Sequence, residues 1–400
     1  MHAVTPINIP PPHLAKRHQP SGLNNDFQAA ATFADYLSAT HDMLRKAHHK
    51  LGTTQIDVLV AGNMPFRLVP ASADGQEKPY RRGILLTHGL TDSPYFVRQL
   101  GAYFQAQGYL VLAVLLPGHG TQPGDLLHTK WQEWVKAVAY GTDCLAQEVD
   151  EIYLGGLSTG ATLSLRQSMF DTRVRGLFMY SPALQISHRA AYATLHKIYS
   201  WLLPTAQWLN IQPDTDIYKY ESFPKNGAAQ MHRLTQVVKN LQRKQGVPLP
   251  IFAVASGDDT TVQSLATLDF IVNATHPACK LVWYSTSAPN NYAVKNRLLW
   301  VNSAVPEQRI LSSAHTAIVL PESDPHYGRA GDYANCAHYY PDELEKYIVC
   351  RTHPSQVTQG ELTAENLHSG IMRRLMYNPN YTAMTEAMTA FIKTLDKEKR

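Results

Sequence analysis

The most regular feature of the chain is a series of short, mostly apolar runs that alternate with amphipathic segments. The runs are typical of strands buried on both faces of a sheet and lie at 83–88, 109–116, 152–154 and 174–180. The segments between them place apolar residues at helical spacing and lie at 93–108, 129–147 and 161–169. This alternation predicts an α/β protein with a mostly parallel central sheet and helices on both faces.

The alternation is interrupted twice. It stops at 184–247, which we interpret as a helical cap insertion that includes a helix at 191–209. It resumes with strands at 250–254 and 280–284 around a helix at 265–272, and 285–307 is expected to be irregular. Residues 321–380 form a C-terminal excursion, and 382–395 a final helix. Residues 1–25 are rich in proline and are expected to form an N-terminal arm. The remainder, 26–400, is expected to form a single domain.

The composition narrows the function classes. A net charge of +4 over 400 residues is too small to favour a nucleic-acid partner. No apolar run reaches 18 residues, so no integral membrane segment is expected, and the N-terminus lacks the apolar core of a secretory signal. Four cysteines in so long a chain do not make a disulfide framework. We therefore expect a cytoplasmic enzyme. Cys336 and Cys350 could form a disulfide if the protein is exported, but free thiols are the expectation.

Ser158 is the first residue that points to chemistry. It lies between Gly156 and Gly160, directly after an apolar strand and before a helical segment. Glycines on both sides allow a sharp strand-to-helix turn that presents the hydroxyl at its apex. A lone match to this pattern is weak, because a glycine-rich turn can carry an incidental serine.

A nucleophilic serine needs a histidine to accept its proton and a carboxylate to orient that histidine. On a parallel α/β sheet these partners follow the serine in the order acid, then histidine. Asp258 or Asp259, after the strand at 250–254, and then His315 meet that order. Carboxyl ends of parallel strands meet at one edge of the sheet, where a ligand binds.

Five motifs together resemble the α/β-hydrolase superfamily, and within it the carboxylesterase and monoacylglycerol-lipase branch. They are His88-Gly-Leu-Thr-Asp-Ser-Pro94, Leu116-Pro-Gly-His-Gly-Thr121, Gly156-Leu-Ser-Thr-Gly160, Asp259-Thr-Thr-Val262 and Ser313-Ala-His-Thr316. The resemblance spans roughly 84–315. It implies an α/β-hydrolase fold and a serine hydrolase that cleaves carboxylic esters through an acyl-enzyme.

Carried over to this sequence, the resemblance implies Ser158 as nucleophile, His315 as general base and Asp259 as acid. Asp259, and not Asp258, stands three residues before Val262. By position, the main-chain amides of Leu90 and Thr159 would bind the oxyanion.

The aromatic residues Tyr192 and Trp201 of the insertion are candidate substrate-binding residues. The expected partner is a small-molecule ester or lipid, no cofactor or metal is expected, and the oligomeric state stays open.

Two alternative functions remain. One is a prolyl-type aminopeptidase or amidase on the same fold, with Asp214, Asp216 and Glu221 as candidate ligands for an amino terminus. The other is a non-catalytic binding module.

Other histidines compete with His315 for the role of base. His88 and His119 lie in the motif loops, where we expect them to brace the backbone by hydrogen bonds. His326 is interpreted as a solvated residue of the C-terminal excursion. The strand before His315 is ambiguous, since both 280–284 and 309–311 qualify.

Overall fold

A computed structural model describes residues 13–24, 27, 30–70, 79–186, 204–289 and 296–397. Its centre is an eight-stranded sheet in the order β1-β3-β2-β4-β5-β8-β9-β10. Only β1 runs antiparallel to its neighbour β3; every other pair in the sheet is parallel. The predicted mostly parallel sheet is therefore confirmed.

The strands of this sheet are β1 Phe66–Leu68, β2 Tyr80–Thr87, β3 Leu110–Val114, β4 Val149–Leu157, β5 Val174–Tyr180, β8 Ile251–Ser256, β9 Lys280–Ser285 and β10 Leu298–Asn302. Two small pairs lie outside it: β6 Trp208–Asn210 with β7 Phe223–Pro224, and β11 Thr358–Gly360 with β12 Met372–Arg374.

The α-helices are α1 Phe33–Leu51, α2 Ile56–Asn63, α3 Arg98–Ala106, α4 Trp131–Ala146, α5 Thr159–Ser168, α6 Lys225–Gln245, α7 Leu265–Val272, α8 Leu344–Thr352, α9 Ala364–Leu367 and α10 Tyr381–Lys397. None of the helices in the described ranges is both long and apolar enough to cross a bilayer.

Two apolar clusters cover the two faces of the sheet. Successive side chains of a strand point to opposite faces, so Leu85 packs in one cluster while Ile84 and Leu86 pack in the other. Helix α10 closes the second cluster with its buried Met384, Met388 and Phe391. Both faces are thus covered, as continuous apolar strands require.

Several local expectations were wrong. The segment 285–307 is not irregular throughout, because it contains β10, which extends the sheet beside β9. Residues 309–311 form no strand, so β10 is the last strand of the sheet before His315. The helix expected from Ser93 does begin there, with Ser93 as its N-cap, but its first turn, Pro94–Val97, is 3₁₀ and it becomes α-helical at Arg98.

The predicted insertion 184–247 is described only in part. Most of the predicted helix 191–209 falls at 187–203, outside the described residues. Its described end is a 3₁₀ turn, Pro204–Gln207, followed by β6. The second helix of the segment is present as α6, whose Met231 and Leu234 are buried.

The C-terminal excursion contains a disulfide bond. Cys336 and Cys350 form a disulfide, which corrects the expectation of free thiols. Around the disulfide pack Tyr339, Tyr340 and Tyr347. The cytoplasmic location stays a prediction.

Candidate active site

Ser158 occupies the sharp turn between β4 and α5. Its φ of 52° and ψ of −110° are unusual for a residue with a side chain. A Cβ on Gly160 would come within 2.1 Å of the Thr87 carbonyl oxygen, and a Cβ on Gly156 within 2.4 Å of Gly160. Only glycine fits at either position. The turn is held by the Ser158 amide, which donates to the Tyr180 carbonyl at 2.8 Å.

The structure brings Ser158, His315 and Asp259 together from three distant parts of the chain. Ser158 Oγ lies 3.0 Å from Nε2 of His315, and the Nδ1 atom of the same ring lies 2.6 Å from Oδ2 of Asp259. The second oxygen of Asp259 accepts the amides of Thr261 and Val262 at 2.7 and 3.0 Å. All three side chains are thus fixed by directional hydrogen bonds.

Asp258, the alternative acid, faces elsewhere. Its Oδ2 accepts the hydroxyl of Ser303, just beyond β10, at 3.1 Å. Burial raises the pKa of Asp258, and the Ser303 hydrogen bond only partly offsets that effect. Of the two neighbours, Asp259 is the one that contacts His315.

A cavity of about 430 Å³ opens beside Ser158 and His315. Its apolar wall is formed by Leu90, Leu157, Ala183, Ile186, Phe223, Ala228, Met231, Val262, Ala337 and Leu362. The C-terminal excursion adds polar groups to the wall, among them Tyr333, Asn335 and His338. Its size is within the range of small-molecule sites.

The loop after β2 passes directly over Ser158. A Cβ on Gly89 would lie 3.4 Å from the Ser158 Cβ and 2.3 Å from Oδ2 of Asp92. The two residues proposed as oxyanion donors, Leu90 and Thr159, both line the cavity next to Ser158. Outside the regular helices and strands, the main-chain hydrogen bonds of the described residues engage neither amide.

His88 and His119 brace this loop, as expected. His119 Nε2 accepts the Thr91 amide at 3.1 Å, and His88 Nε2 accepts the Leu116 amide at 3.0 Å. Their Nδ1 atoms therefore carry the protons and donate to the carbonyls of Pro117 and Gly89. Burial lowers the pKa of His119 to about 4 and holds the pKa of His88 well below its ordinary value, so both stay neutral.

Lys219 ties the predicted insertion to the same loop. Its ammonium donates to Thr91 Oγ1 at 2.9 Å and pairs with the carboxylate of Asp92. The loop over Ser158 is therefore fixed from both sides, which pre-organises its amides.

The expectation of a solvated His326 was wrong. Its side chain is buried, with Nδ1 paired to Asp332 and Nε2 3.4 Å from Asp216. Tyr333 stacks on its ring. The partner Asp216 is more than a hundred residues away in sequence, so no local pattern could reveal this contact.

The proposed substrate residues Tyr192 and Trp201 lie outside the described residues. The three acidic residues considered for an amino terminus already have partners. Asp214 pairs with Arg17 and accepts from Ser222, Asp216 accepts from Tyr327, and Glu221 accepts from Tyr333.

Sequence reasoning missed Glu361 and Arg374, which lie behind His315. The amide of His315 donates to Glu361 Oε2 at 2.9 Å, and Arg374 pairs with that carboxylate. Both belong to the excursion, and neither lies in one of the five motifs from which the site was predicted. The apolar run Leu298–Val301, by contrast, could have revealed β10.

No group of three or more histidine, cysteine, aspartate or glutamate side chains suited to a metal ion occurs in the part of the chain that the structure describes.

The family model and two curated proteins that match this chain all describe hydrolases. A family model described as "Serine aminopeptidase, S33" matches residues 78–288, more than half of the chain. A thermostable monoacylglycerol lipase of Bacillus sp. (strain H-257) is 30% identical over 181 residues, which are 45% of this chain and 71% of the relative. A carboxylesterase of Bacillus subtilis (strain 168) is 26% identical over 215 residues, 52% of this chain and 83% of the relative.

A solved structure from work on LipS and LipT, two metagenome-derived lipolytic enzymes, is 22% identical, with a TM-score of 0.47 over 59% of this chain and 91% of that chain. The family match stops before His315, so it does not reach the excursion. With the family model and the curated relatives in agreement, the chain belongs to the family described as serine aminopeptidase, S33, and is an α/β-hydrolase of the carboxylesterase and monoacylglycerol-lipase branch.

Proposed function

We propose that Ser158, His315 and Asp259 form a catalytic triad through which this lipase- or esterase-type hydrolase cleaves carboxylic esters. The observation that carries the proposal is the unbroken chain of hydrogen bonds from Ser158 Oγ through His315 to Asp259. Such a chain turns a weakly nucleophilic hydroxyl into a competent one, because the proton has an acceptor in place.

In the proposed reaction Ser158 Oγ attacks the ester carbonyl carbon while His315 Nε2 takes the hydroxyl proton. Asp259 stabilises the resulting imidazolium, and the amides of Leu90 and Thr159 stabilise the oxyanion. The tetrahedral intermediate collapses with loss of the alcohol, which receives the proton from His315. Water then adds to the acyl-enzyme by the same route, and release of the acid restores Ser158.

The cavity supports an ester whose acyl or alcohol part is at least partly apolar. Residues such as Leu157, Ile186 and Met231 offer apolar contacts beside Ser158. Polar groups that also line the cavity, such as Tyr333 and Asn335, favour a substrate with a polar end. The named lipase and esterase relatives fit this substrate class.

The amide alternative gains less support. A site for a free amino terminus needs a carboxylate open to the ligand, and Asp214, Asp216 and Glu221 all accept hydrogen bonds from neighbouring residues. We therefore rank cleavage of an amino-terminal residue below ester hydrolysis.

The test is turnover of p-nitrophenyl esters from acetate to palmitate by wild type and by Ser158→Ala. We expect the variant to fold and to lose at least about 10⁴-fold in kcat/KM on the best substrate. Turnover by Ser158→Ala at the wild-type rate would contradict the proposal. The wild-type optimum along the series separates a short-chain esterase from a long-chain lipase.

A further inference from the structure

His315 is held at its main chain by a residue of the C-terminal excursion. Its amide donates to Oε2 of Glu361 at 2.9 Å, and the other carboxylate oxygen, Oε1, accepts the amide of Leu362 at 2.9 Å. Glu361 is 0% exposed. Burying a carboxylate costs much free energy unless a positively charged group pairs with it.

Arg374 provides that pairing. Its Nη2 donates to Glu361 Oε2 at 3.0 Å, and its Nε lies 3.0 Å from Oε1, although in a direction that does not suit a hydrogen bond. Burial alone would raise the pKa of Glu361, but the charge and hydrogen bonds of Arg374 lower it. Glu361 is therefore an anion that can accept from His315 at all ordinary pH values.

The same guanidinium also contacts the loop of the proposed acid. Arg374 Nη2 donates to Thr261 Oγ1 at 2.6 Å. The amide of Thr261 in turn donates to Asp259 Oδ1. One buried ion pair thus connects the main chain at His315 to the turn that holds Asp259.

Glu361 is itself held in place by its surroundings. Its amide donates to Ser312 Oγ at 3.1 Å, and Asn366 Nδ2 donates both to that hydroxyl and to the Glu361 carbonyl at 3.0 and 2.9 Å. Ser312 stands three residues before His315. The loop that carries Ser312 and His315, here called the histidine loop, is therefore connected to the excursion by several hydrogen bonds.

We propose that Glu361 and Arg374 are positioning residues, which set the distance and direction between His315 and its two partners, Ser158 and Asp259. The inference rests on the proposed function, since it gives Glu361 and Arg374 a role in placing the proposed base. It also gives the excursion a function in catalysis. Proton transfer is steeply sensitive to placement, and a shift of about 1 Å can cost on the order of 100-fold in rate.

The first test is Glu361→Asp, which keeps the charge opposite Arg374 but shortens the side chain by about 1.5 Å. We expect the variant to fold, to lose about 10- to 100-fold in kcat and to keep KM within about twofold. The matched control is Glu322→Asp in the exposed pair Glu322–Arg329 of the same excursion. It should leave both constants unchanged.

A pair of double variants tests the hydrogen bond without leaving a buried charge alone. Glu361→Gln with Arg374→Gln keeps an acceptor for the His315 amide, whereas Glu361→Met with Arg374→Met keeps none. We expect the Gln pair to retain at least about fivefold more kcat than the Met pair at equal folded concentration. This comparison decides the matter if Glu361→Asp does not fold.

Two results would overturn the inference. A folded Glu361→Asp with wild-type kcat, or equal kcat in the two double variants, would show that the ion pair has a structural role only. These outcomes leave ester hydrolysis by wild type intact, so they are distinct from a failure of the proposed function. A wild type without any ester turnover would overturn both.

Discussion

Ser158 and His315 meet in one hydrogen bond, but the two regions that present them are built differently. Ser158 follows β4 in the middle of the parallel sheet, and backbone contacts fix it, including its amide bond to Tyr180. His315 follows the edge strand β10 and is held mainly by side chains. Ser181 Oγ donates to its carbonyl at 3.1 Å, and Glu361 accepts from its amide at 2.9 Å.

The two regions therefore depend on different kinds of contact for their geometry. A backbone ladder tolerates changes of side chain, because its hydrogen bonds are made by every residue type. A loop held by side chains depends on the identity of each of them. Substitutions behind His315 should therefore affect activity more than substitutions of similar size around the strands near Ser158, except at Gly156 and Gly160, where no side chain fits.

The strongest prediction compares two adjacent acids. Asp259→Asn should lower kcat by about 10⁴-fold, because the amide cannot stabilise the imidazolium and favours the wrong tautomer of His315. Asp258→Asn, at a residue bonded to Ser303 instead, should stay within about threefold of wild type. The measurement is steady-state hydrolysis of a p-nitrophenyl ester. Equal losses in the two variants would contradict the assignment of Asp259.

The next prediction concerns the covalent link in the region of His315. Replacing Cys336 and Cys350 by serine should lower the free energy of unfolding by about 3 kcal/mol, as expected for a loop with a separation of 14 residues. Urea denaturation with and without reductant measures this change in the free energy of unfolding. Reductant should destabilise wild type to a similar extent and leave the variant unchanged. A wild type insensitive to reductant under denaturing conditions would refute this.

A pH-dependent prediction follows from Glu221, which lies in the cavity wall. Burial, with a further contribution from Asp216, raises the pKa of Glu221 from 4.5 to about 7. The folded state then binds the proton more tightly than the unfolded state. The associated stability is complete below about pH 4.5 and is lost as the pH rises to about 7.

Glu221→Gln should remove this pH dependence. At pH 8 the variant should be more stable than wild type by on the order of 2 kcal/mol, and at pH 4 the two should be similar. Urea denaturation at the two pH values measures the difference. The control is Glu322→Gln on the exposed surface, which should not change the pH dependence of the free energy of unfolding. If Glu221→Gln kept the pH dependence of wild type, the raised pKa of Glu221 would be contradicted.

The smallest expected effect is that of Ser181→Ala. It removes the hydroxyl that donates to the His315 carbonyl, but it leaves the Glu361 contact in place. The free energy of unfolding should fall by about 1 kcal/mol, and kcat by only about threefold. A loss as large as that of Glu361→Asp would shift the main anchor of the histidine loop from Glu361 to Ser181.

Much of the fold was predictable because it rests on periodicity. The strand at 174–180 and the helix at 265–272 have the predicted bounds, since buried strands and amphipathic helices leave regular apolar patterns. The edge strand β10 was missed. Its apolar run Leu298–Val301 was visible in the sequence, but Leu299 and Trp300 are 46% and 40% exposed. The run therefore does not belong to a strand buried on both faces, which is the pattern that predicted the other strands.

The site was predictable where chemistry is tied to local motifs. Ser158, Asp259 and His315 each follow a strand in a recognisable turn, and the structure brings them together. The burial of His326 and the pair Glu361–Arg374 were not predictable. They depend on contacts between segments far apart in sequence, for which a single sequence contains no periodic signal. The disulfide was missed because spacing alone does not show that two thiols meet.

The proposed reaction requires Ser158 to be the nucleophile. A fluorophosphonate reacts covalently with an activated serine, so mass spectrometry of the labelled and digested protein identifies the residue directly. We predict a single adduct on Ser158, lost in Ser158→Ala and at least about 100-fold slower to form in His315→Ala. An adduct on any other residue of the wild-type protein, or undiminished labelling of a folded Ser158→Ala, would contradict the claim.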